Sequence, residues 1–216
     1  MKNHRERFRR ALGFEQAEDR TLTTLIFVLN GNAFRPARPS SLTADAARVL
    51  KKAGHQAIQI ATPEINSGAA FDQLARKIAS IAHGRPIGIV GFSAGGSLAA
   101  RLAGVAKLHV KAALDYYGPA DFRDYLDRHQ GDAFYRAVVG RVHFKPSAIR
   151  MLSGPIQTSA YVVGAFGLDD RNVVASDSIA SFRKVIPNGQ TYTYPGPHGA
   201  SINASPPALR DFLAHV

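Results

Sequence analysis

The sequence of 216 residues contains no cysteine. This absence excludes disulfide bonds, catalysis by a thiolate and metal sites built on cysteine ligands. Long apolar runs are also absent, since none approaches the roughly 18 residues that a membrane-spanning helix needs. The basic N-terminus is not followed directly by the apolar segment of a secretory signal peptide. We therefore expect a cytoplasmic protein that does not span a membrane.

Negative charge is scarce as well. The 27 Lys and Arg residues outnumber the 16 Asp and Glu residues, and the formal net charge is +11 at pH 7. Several basic residues cluster within residues 1–20, and such an excess can attract nucleic acid or an acidic membrane. However, no interleaved aromatic residues and no nucleic-acid-binding motif accompany them. We interpret residues 1–20 as a solvated basic arm and expect no nucleic-acid partner.

Short apolar runs alternate with segments of helical periodicity along most of the chain. The predicted strands cover residues 23–29, 56–61, 86–90, 110–116, 157–163 and 190–194. The predicted helices cover residues 43–53, 69–83, 97–103, 175–185 and 206–215. This alternation predicts a three-layer α/β fold with a mostly parallel sheet of about six strands and helices on both faces. We expect residues 1–216 to form one domain, because no linker interrupts them.

Residues 118–155 depart from this alternation. They show helical character over 121–139 but contain no predicted strand, and they are too long for a simple connection between a strand and a helix. We interpret them as a short helical, cap-like insertion over the strand ends. Four of its aromatic side chains either line an apolar pocket or pack the insertion onto the body: Phe122, Tyr125, Phe134 and Tyr135.

The most informative motif is GFSAGG at residues 91–96, which lies between a predicted buried strand and a predicted helix. The pattern Gly-x-Ser-x-Gly in that context predicts a sharp, strained turn that exposes Ser93 above the sheet. The backbone N–H of Ala94, at the start of the helix, can then receive an anion. The alternative interpretation is an ordinary connection without catalytic meaning.

A carboxylate and a histidine follow later strands of the same predicted sheet. Asp169 and Asp170 come after the fifth strand, and His198 comes after the sixth. Because ligands bind beyond the carboxyl ends of parallel strands, these side chains are expected to meet Ser93 there. A serine needs a base to become a nucleophile, histidine supplies it near pH 7, and a carboxylate orients the histidine. Asp115, at the end of the fourth strand, is a further carboxylate at this edge.

Ester or amide cleavage also needs N–H donors for the oxyanion that forms during attack. Ala94 supplies one candidate. The second is expected from the loop after the first strand, where Gly31 permits a close approach of the backbone. Asn32 is our choice for this donor, and Ala33 is the alternative.

These motifs resemble those of α/β-hydrolases of the serine esterase or lipase type, and the resemblance runs from about residue 23 to the C-terminus. It rests on GFSAGG at 91–96, DRNV at 170–173 and YPGPHG at 194–199. YGPAD at 117–121 resembles a segment of small bacterial esterases and dienelactone-hydrolase-like proteins. The resemblance implies Ser93 as the nucleophile and His198 as the base. It favours Asp170 over Asp169 as the acid, because Val173 is the small apolar residue expected three positions later. Asp115 is the weaker alternative that it implies, since some members carry the acid one strand earlier.

The sequence departs from the resemblance at two places. Residues 30–32 are Asn-Gly-Asn, where such proteins often have His-Gly-Gly, and this leaves the oxyanion donors less well defined. Two further strands usually precede the first one, so the sheet is expected to be trimmed to about six strands.

The function expected from the sequence is cleavage of an ester, or a related acyl bond, of a small substrate. Short acyl chains are expected because the insertion is modest, while thioester or amide cleavage and acyl transfer stay open. The alternative is a binding or regulatory protein on a hydrolase fold. No cofactor or metal is expected, because the other histidines lack ligand spacing and no Gly-x-Gly-x-x-Gly follows a strand. A monomer or a homodimer fits the sequence equally well.

Overall fold

The computed structural model describes residues 23–216, so the predicted basic arm lies outside the described residues. Six strands form one sheet in the order β2-β1-β3-β4-β5-β6, and every neighbouring pair is parallel. The strands are β1 Leu25–Leu29, β2 Gln56–Ile60, β3 Ile87–Phe92, β4 Val110–Tyr116, β5 Tyr161–Gly167 and β6 Gln190–Tyr194. The predicted fold class is therefore confirmed, with a sheet that is entirely parallel.

Helices cover both faces of this sheet. They are α1 Ser41–Lys52, α2 Gly68–Ala82, α3 Ala94–Ala103, α4 Phe122–His129, α5 Ala133–Ala137, α6 Pro146–Met151, α7 Ala175–Val185 and α8 Pro206–Leu213. Alternate residues of β1 belong to different apolar clusters: Phe27 packs with α2 and α3, and Val28 packs with α1 and α8. Because both faces of the strand are covered, its sequence is a continuous apolar run. No helix within residues 23–216 has the length and apolarity needed to cross a membrane.

The predicted fifth strand, 157–163, was wrong in position, since β5 runs over Tyr161–Gly167. The segment before it forms a turn in which Thr158 Oγ1 donates to the carbonyl of Ala103 at 2.7 Å and accepts the N–H of Ala160 at 2.9 Å. These hydrogen bonds hold residues 158–160 in the turn, and β5 begins at the next residue, Tyr161. Gly164 lies within β5, where a Cβ would collide with the rings of Phe166 and Phe182.

The segment that we predicted as an insertion, 118–155, contains three helices, α4 to α6. Its two ends are held together by the buried Arg101 of α3. The guanidinium donates to the carbonyls of Ala120 at 2.8 Å, Ser153 at 3.1 Å and Gly154 at 2.6 Å. Asp121 caps α4 and also accepts the N–H of Gly154 at 3.1 Å. Both ends of segment 118–155 are therefore held at one point by hydrogen bonds, and its interpretation as an insertion stays a prediction.

Candidate active site

Ser93 lies in a sharp turn between the last residue of β3 and the first residue of α3. Its φ of 54° and ψ of −129° are rare for a residue with a side chain. The turn is held by its own hydrogen bonds, since Ser93 N–H donates to the carbonyl of Tyr116 at 2.8 Å and Ser93 C=O accepts the N–H of Gly96 at 2.8 Å. A Cβ at Gly91 would overlap the backbone of Gly95. The small residues on either side of Ser93 therefore make this strained geometry possible.

His198 follows β6 and lies between Ser93 and Asp170. Its Nε2 is 2.9 Å from Ser93 Oγ, and its Nδ1 is 2.7 Å from Asp170 Oδ2. A carboxylate can only accept hydrogen bonds, so the proton of the Nδ1 pair belongs to the imidazole and the Nε2 lone pair faces the Ser93 hydroxyl. The Asp170 side chain is fully buried, whereas that of His198 is 20% exposed. The result is a continuous hydrogen-bonded chain from a buried carboxylate to a serine hydroxyl.

The same geometry separates Asp170 from the other two candidate acids. Asp170 Oδ1 accepts the N–H groups of Asn172 at 2.8 Å and Val173 at 2.9 Å, which fixes the carboxylate opposite the imidazole. Asp169 is exposed on the preceding turn. Asp115 is completely buried under the turn, and burial raises its pKa well above the usual value, partly opposed by a hydrogen bond from a backbone N–H. The structure therefore brings Asp170, and neither alternative, to His198.

The loop after β1 runs directly against the Ser93 turn. A Cβ at Gly31 would overlap both the Phe92 carbonyl and the Ser93 Cβ, so only glycine permits this approach. The Asn32 side-chain amide donates to the carbonyl of Pro36 at 2.9 Å and thereby holds the loop. Among the hydrogen bonds within residues 23–216, none uses the backbone N–H of Asn32 or Ala94 as its donor. Within the part of the chain that the structure describes, both N–H groups therefore have no protein acceptor.

The fold that carries this site is shared by several solved structures. A truncated carbohydrate esterase from gut microbiota has a TM-score of 0.68 at 19% identity, over 91% of this chain and 86% of that one. The carboxylesterase Cest-2923 from Lactobacillus plantarum has a TM-score of 0.63 at 18% identity, over 88% of this chain and 79% of the other. Alpha/beta hydrolase domain-containing protein 10 from mouse has a TM-score of 0.59 at 17% identity, over 89% and 87%.

The chain has the α/β-hydrolase fold. The resemblance seen in the sequence motifs is thus confirmed at the level of the fold, with esterases among its structural neighbours. No protein-family model and no curated protein sequence matches the chain. At identities below 20%, these structural neighbours show the fold of the chain and not its chemistry.

In this α/β-hydrolase fold, Ser93 lines two cavities that are formed by residues within 23–216. An open cleft of about 240 Å³ is lined by Ser93, His198 and residues of the loop after β1. A smaller pocket of about 20 Å³ is lined by Ser93, Ala94 and apolar side chains. Three of the four insertion aromatics named from the sequence, Phe122, Tyr125 and Phe134, line the smaller pocket, whereas Tyr135 does not line either cavity.

Two features of the site escaped the sequence analysis. The ring of Tyr117 packs edge-on against the imidazole of His198, with centroids 4.7 Å apart, and its hydroxyl donates to the carbonyl of Ala200 at 3.1 Å. Tyr117 has a positive φ of 45°, and Ala33 and Phe34 also have positive φ values, of 49° and 63°. Backbone strain of this kind concentrates at functional sites. The residue types at these positions do not predict it, so no signal in the sequence could have found it. Within residues 23–216, no cluster of three or more His, Asp or Glu side chains could hold a metal ion.

Proposed function

We propose that the protein is a serine hydrolase that cleaves an ester, or a related acyl bond, of a small substrate. The observation that carries this proposal is the unbroken chain of hydrogen bonds from Asp170 through His198 to Ser93 Oγ at the mouth of a cleft. Structural roles alone do not require a buried carboxylate, an imidazole and a hydroxyl at a strained turn to be aligned in this order. The esterases among the structural neighbours support ester cleavage as the reaction class.

In the first half of the proposed reaction, Ser93 Oγ attacks the substrate carbonyl carbon while His198 Nε2 takes the hydroxyl proton. The tetrahedral intermediate then collapses, the ester C–O bond breaks, and Nε2 returns the proton to the departing alkoxide. Water attacks the acyl-enzyme in the second half, and its proton passes through Nε2 to Ser93 Oγ as the carboxylic acid is released. Asp170 holds the imidazole in the required tautomer and stabilises the imidazolium that forms.

The oxyanion of each tetrahedral intermediate receives, in this proposal, the backbone N–H groups of Ala94 and Asn32. Ala94 follows Ser93 at the start of α3, and Asn32 follows Gly31 on the loop that lies against the turn and lines the cleft together with Ser93. N–H donors that are already fixed in place stabilise the developing oxyanion without the cost of reorganising solvent. One such donor contributes about 3–4 kcal/mol in a well-studied protease. The Asn32 side chain has a different task, because its amide is already bonded to Pro36.

The test is covalent labelling by a fluorophosphonate probe combined with hydrolysis of p-nitrophenyl acetate. We expect the wild-type protein to be labelled at Ser93 and to turn over the ester. Ser93→Ala and His198→Ala should each abolish turnover. Matched controls are Ser159→Ala and His143→Ala, since both side chains are exposed and line neither cavity.

A folded wild-type protein that is neither labelled nor active would overturn the proposal. It would favour the alternative of a binding or regulatory protein on a hydrolase fold. Equal loss of activity in the exposed control variants would show that the assay reports folding and not the site.

A further inference from the structure

The two cavities at Ser93 differ in two residues that matter for the proposed chemistry. His198 lines the cleft of about 240 Å³ and does not line the pocket of about 20 Å³. Ala94, whose N–H is a proposed oxyanion donor, lines the small pocket and not the cleft. An ester bound at Ser93 must therefore place its two halves in unlike surroundings.

The direction of proton delivery determines which cavity holds the alcohol half of the ester and which holds the acyl half. In the proposed function, on which this inference rests, His198 Nε2 gives its proton to the leaving oxygen. The alcohol half must then lie on the His198 side, in the cleft. The carbonyl oxygen faces the N–H groups of Ala94 and Asn32. The side that remains for the acyl chain is the small pocket.

The size of that pocket limits the acyl chain. A cavity of about 20 Å³ holds about one water-sized or methyl-sized group, because one such group needs roughly 10–15 Å³ by this measure. Its walls are apolar and firmly packed: the rings of Phe34 and Phe122 meet edge-on with centroids 4.8 Å apart, and both side chains are almost fully buried. Val173, which also lines the pocket, is fixed through its N–H, which donates to Asp170 Oδ1.

Phe134 is the one side chain of the insertion that borders both cavities. It lies on the short helix α5, is only partly buried, and its ring centroid is 6.3 Å from that of His198. The other ring-bearing walls of the pocket, Phe34, Phe122 and Tyr125, are buried in the core. Shortening Phe134 would therefore join the pocket to the cleft while leaving the deeper wall intact.

We propose that the enzyme is selective for acetyl esters of larger alcohols, and that Phe134 is the residue that sets this limit. The acetyl methyl fills the small pocket, while the alcohol occupies the cleft beside His198. Longer acyl chains meet the ring of Phe134. A bulkier alcohol meets no comparable wall, because the cleft has about twelve times the volume of the pocket, 240 Å³ against 20 Å³.

The test measures kcat/KM for p-nitrophenyl acetate, butyrate and hexanoate, and for 1-naphthyl acetate. We expect wild-type protein to prefer acetate to butyrate by at least about tenfold, the usual effect of a misfit methylene in an apolar pocket. Replacing p-nitrophenol by 1-naphthol should change kcat/KM less than lengthening the acyl chain does. In Phe134→Ala, the acetate-to-butyrate ratio should fall by about tenfold, mainly through faster butyrate cleavage.

Tyr135→Ala is the matched control, since Tyr135 is the next residue on the same helix and lines neither cavity. It should keep the wild-type ratio. If Phe134→Ala fails to fold by thermal unfolding, Phe134→Leu replaces it and should lower the ratio by a smaller factor in the same direction. An unchanged ratio in a folded Phe134 variant, or equal wild-type rates on acetate and hexanoate, overturns the inference while acetate turnover upholds the proposed function. Absence of turnover and of Ser93 labelling overturns both.

Discussion

Replacing Asp170 by Asn tests the site with the smallest change in shape. Asp170 Oδ1 accepts two backbone N–H groups, from Asn172 and Val173. An asparagine must put its carbonyl oxygen at that place, because its NH2 group cannot accept. The NH2 group then occupies the position of Oδ2, 2.7 Å from His198 Nδ1 in the wild-type protein. A donor at that position forces Nδ1 to accept, and the imidazole proton moves to Nε2.

The expected effect is large, because an Nε2–H can no longer take the Ser93 proton. The corresponding change in a well-studied serine protease lowers kcat by about 10⁴-fold. That factor equals about 5.4 kcal/mol of transition-state stabilisation at 1.36 kcal/mol for each tenfold. Stability should change far less, by about 1 kcal/mol or less, because both backbone donors keep their acceptor.

The assay is kcat for p-nitrophenyl acetate near pH 8, together with thermal unfolding followed by circular dichroism. Asp169→Asn is the matched control, since the neighbouring carboxylate is exposed and not bonded to His198, and it should keep the wild-type kcat and unfold within about 0.5 kcal/mol of wild type. Activity of folded Asp170→Asn within tenfold of wild type, or a greater loss in Asp169→Asn, would refute the assignment of the acid.

Three further predictions concern the framework of the site. Burial raises the pKa of Asp115 in the folded protein above its value in the unfolded chain. Between these two pKa values the folded protein keeps Asp115 protonated, whereas the unfolded chain ionises it. The free energy of unfolding therefore falls by about 1.4 kcal/mol per pH unit as the pH rises through this range. Asp115→Asn removes this loss, and its gain over wild type in urea unfolding should be larger at pH 8 than at pH 4; a pH-independent difference contradicts this. Arg101→Met should lower the free energy of unfolding by about 2–4 kcal/mol, because three carbonyls lose their donor; an equally stable variant would exclude the role of Arg101 in closing the insertion. Gly31→Ala should reduce kcat/KM by about 10²-fold through displacement of the loop beside Ser93, whereas Gly131→Ala, where a Cβ meets nothing within 4 Å, serves as the control.

Much of the sheet could be predicted because each central strand is covered on both faces. The apolar runs of β1, β3 and β4 carry that burial in their composition, and the helix at 175–185 was predicted with the bounds that the structure has. The start of β5 could not be placed, since it depends on a bond from Thr158 to Ala103, 55 residues earlier in the chain. Such a contact leaves no local pattern.

The candidate site was predictable to the extent that it follows from topology. In a parallel sheet, Ser93, Asp170 and His198 each follow a strand and so reach the same edge. The residues alone left Asp169, Asp170 and Asp115 open as the acid, and the structure brings Asp170 to the imidazole through its bonds to Asn172 and Val173. The role of Phe134 as a border between two cavities depends on where a short helix docks, which periodicity does not specify.

The hydroxyl of Tyr125 links the wall of the small pocket to the loop that carries Asp170. It donates to the carbonyl of Asn172 at 3.2 Å, and the N–H of Asn172 is one of the two groups that hold Asp170 Oδ1. Changes at Tyr125 and at Phe134 would therefore widen the small pocket for longer acyl chains at unequal cost. Trimming Tyr125 would make room and unsettle the acid in the same step, whereas Phe134 has no such bond to lose. Variants that evolve to accept longer acyl chains should therefore carry their first substitutions at position 134.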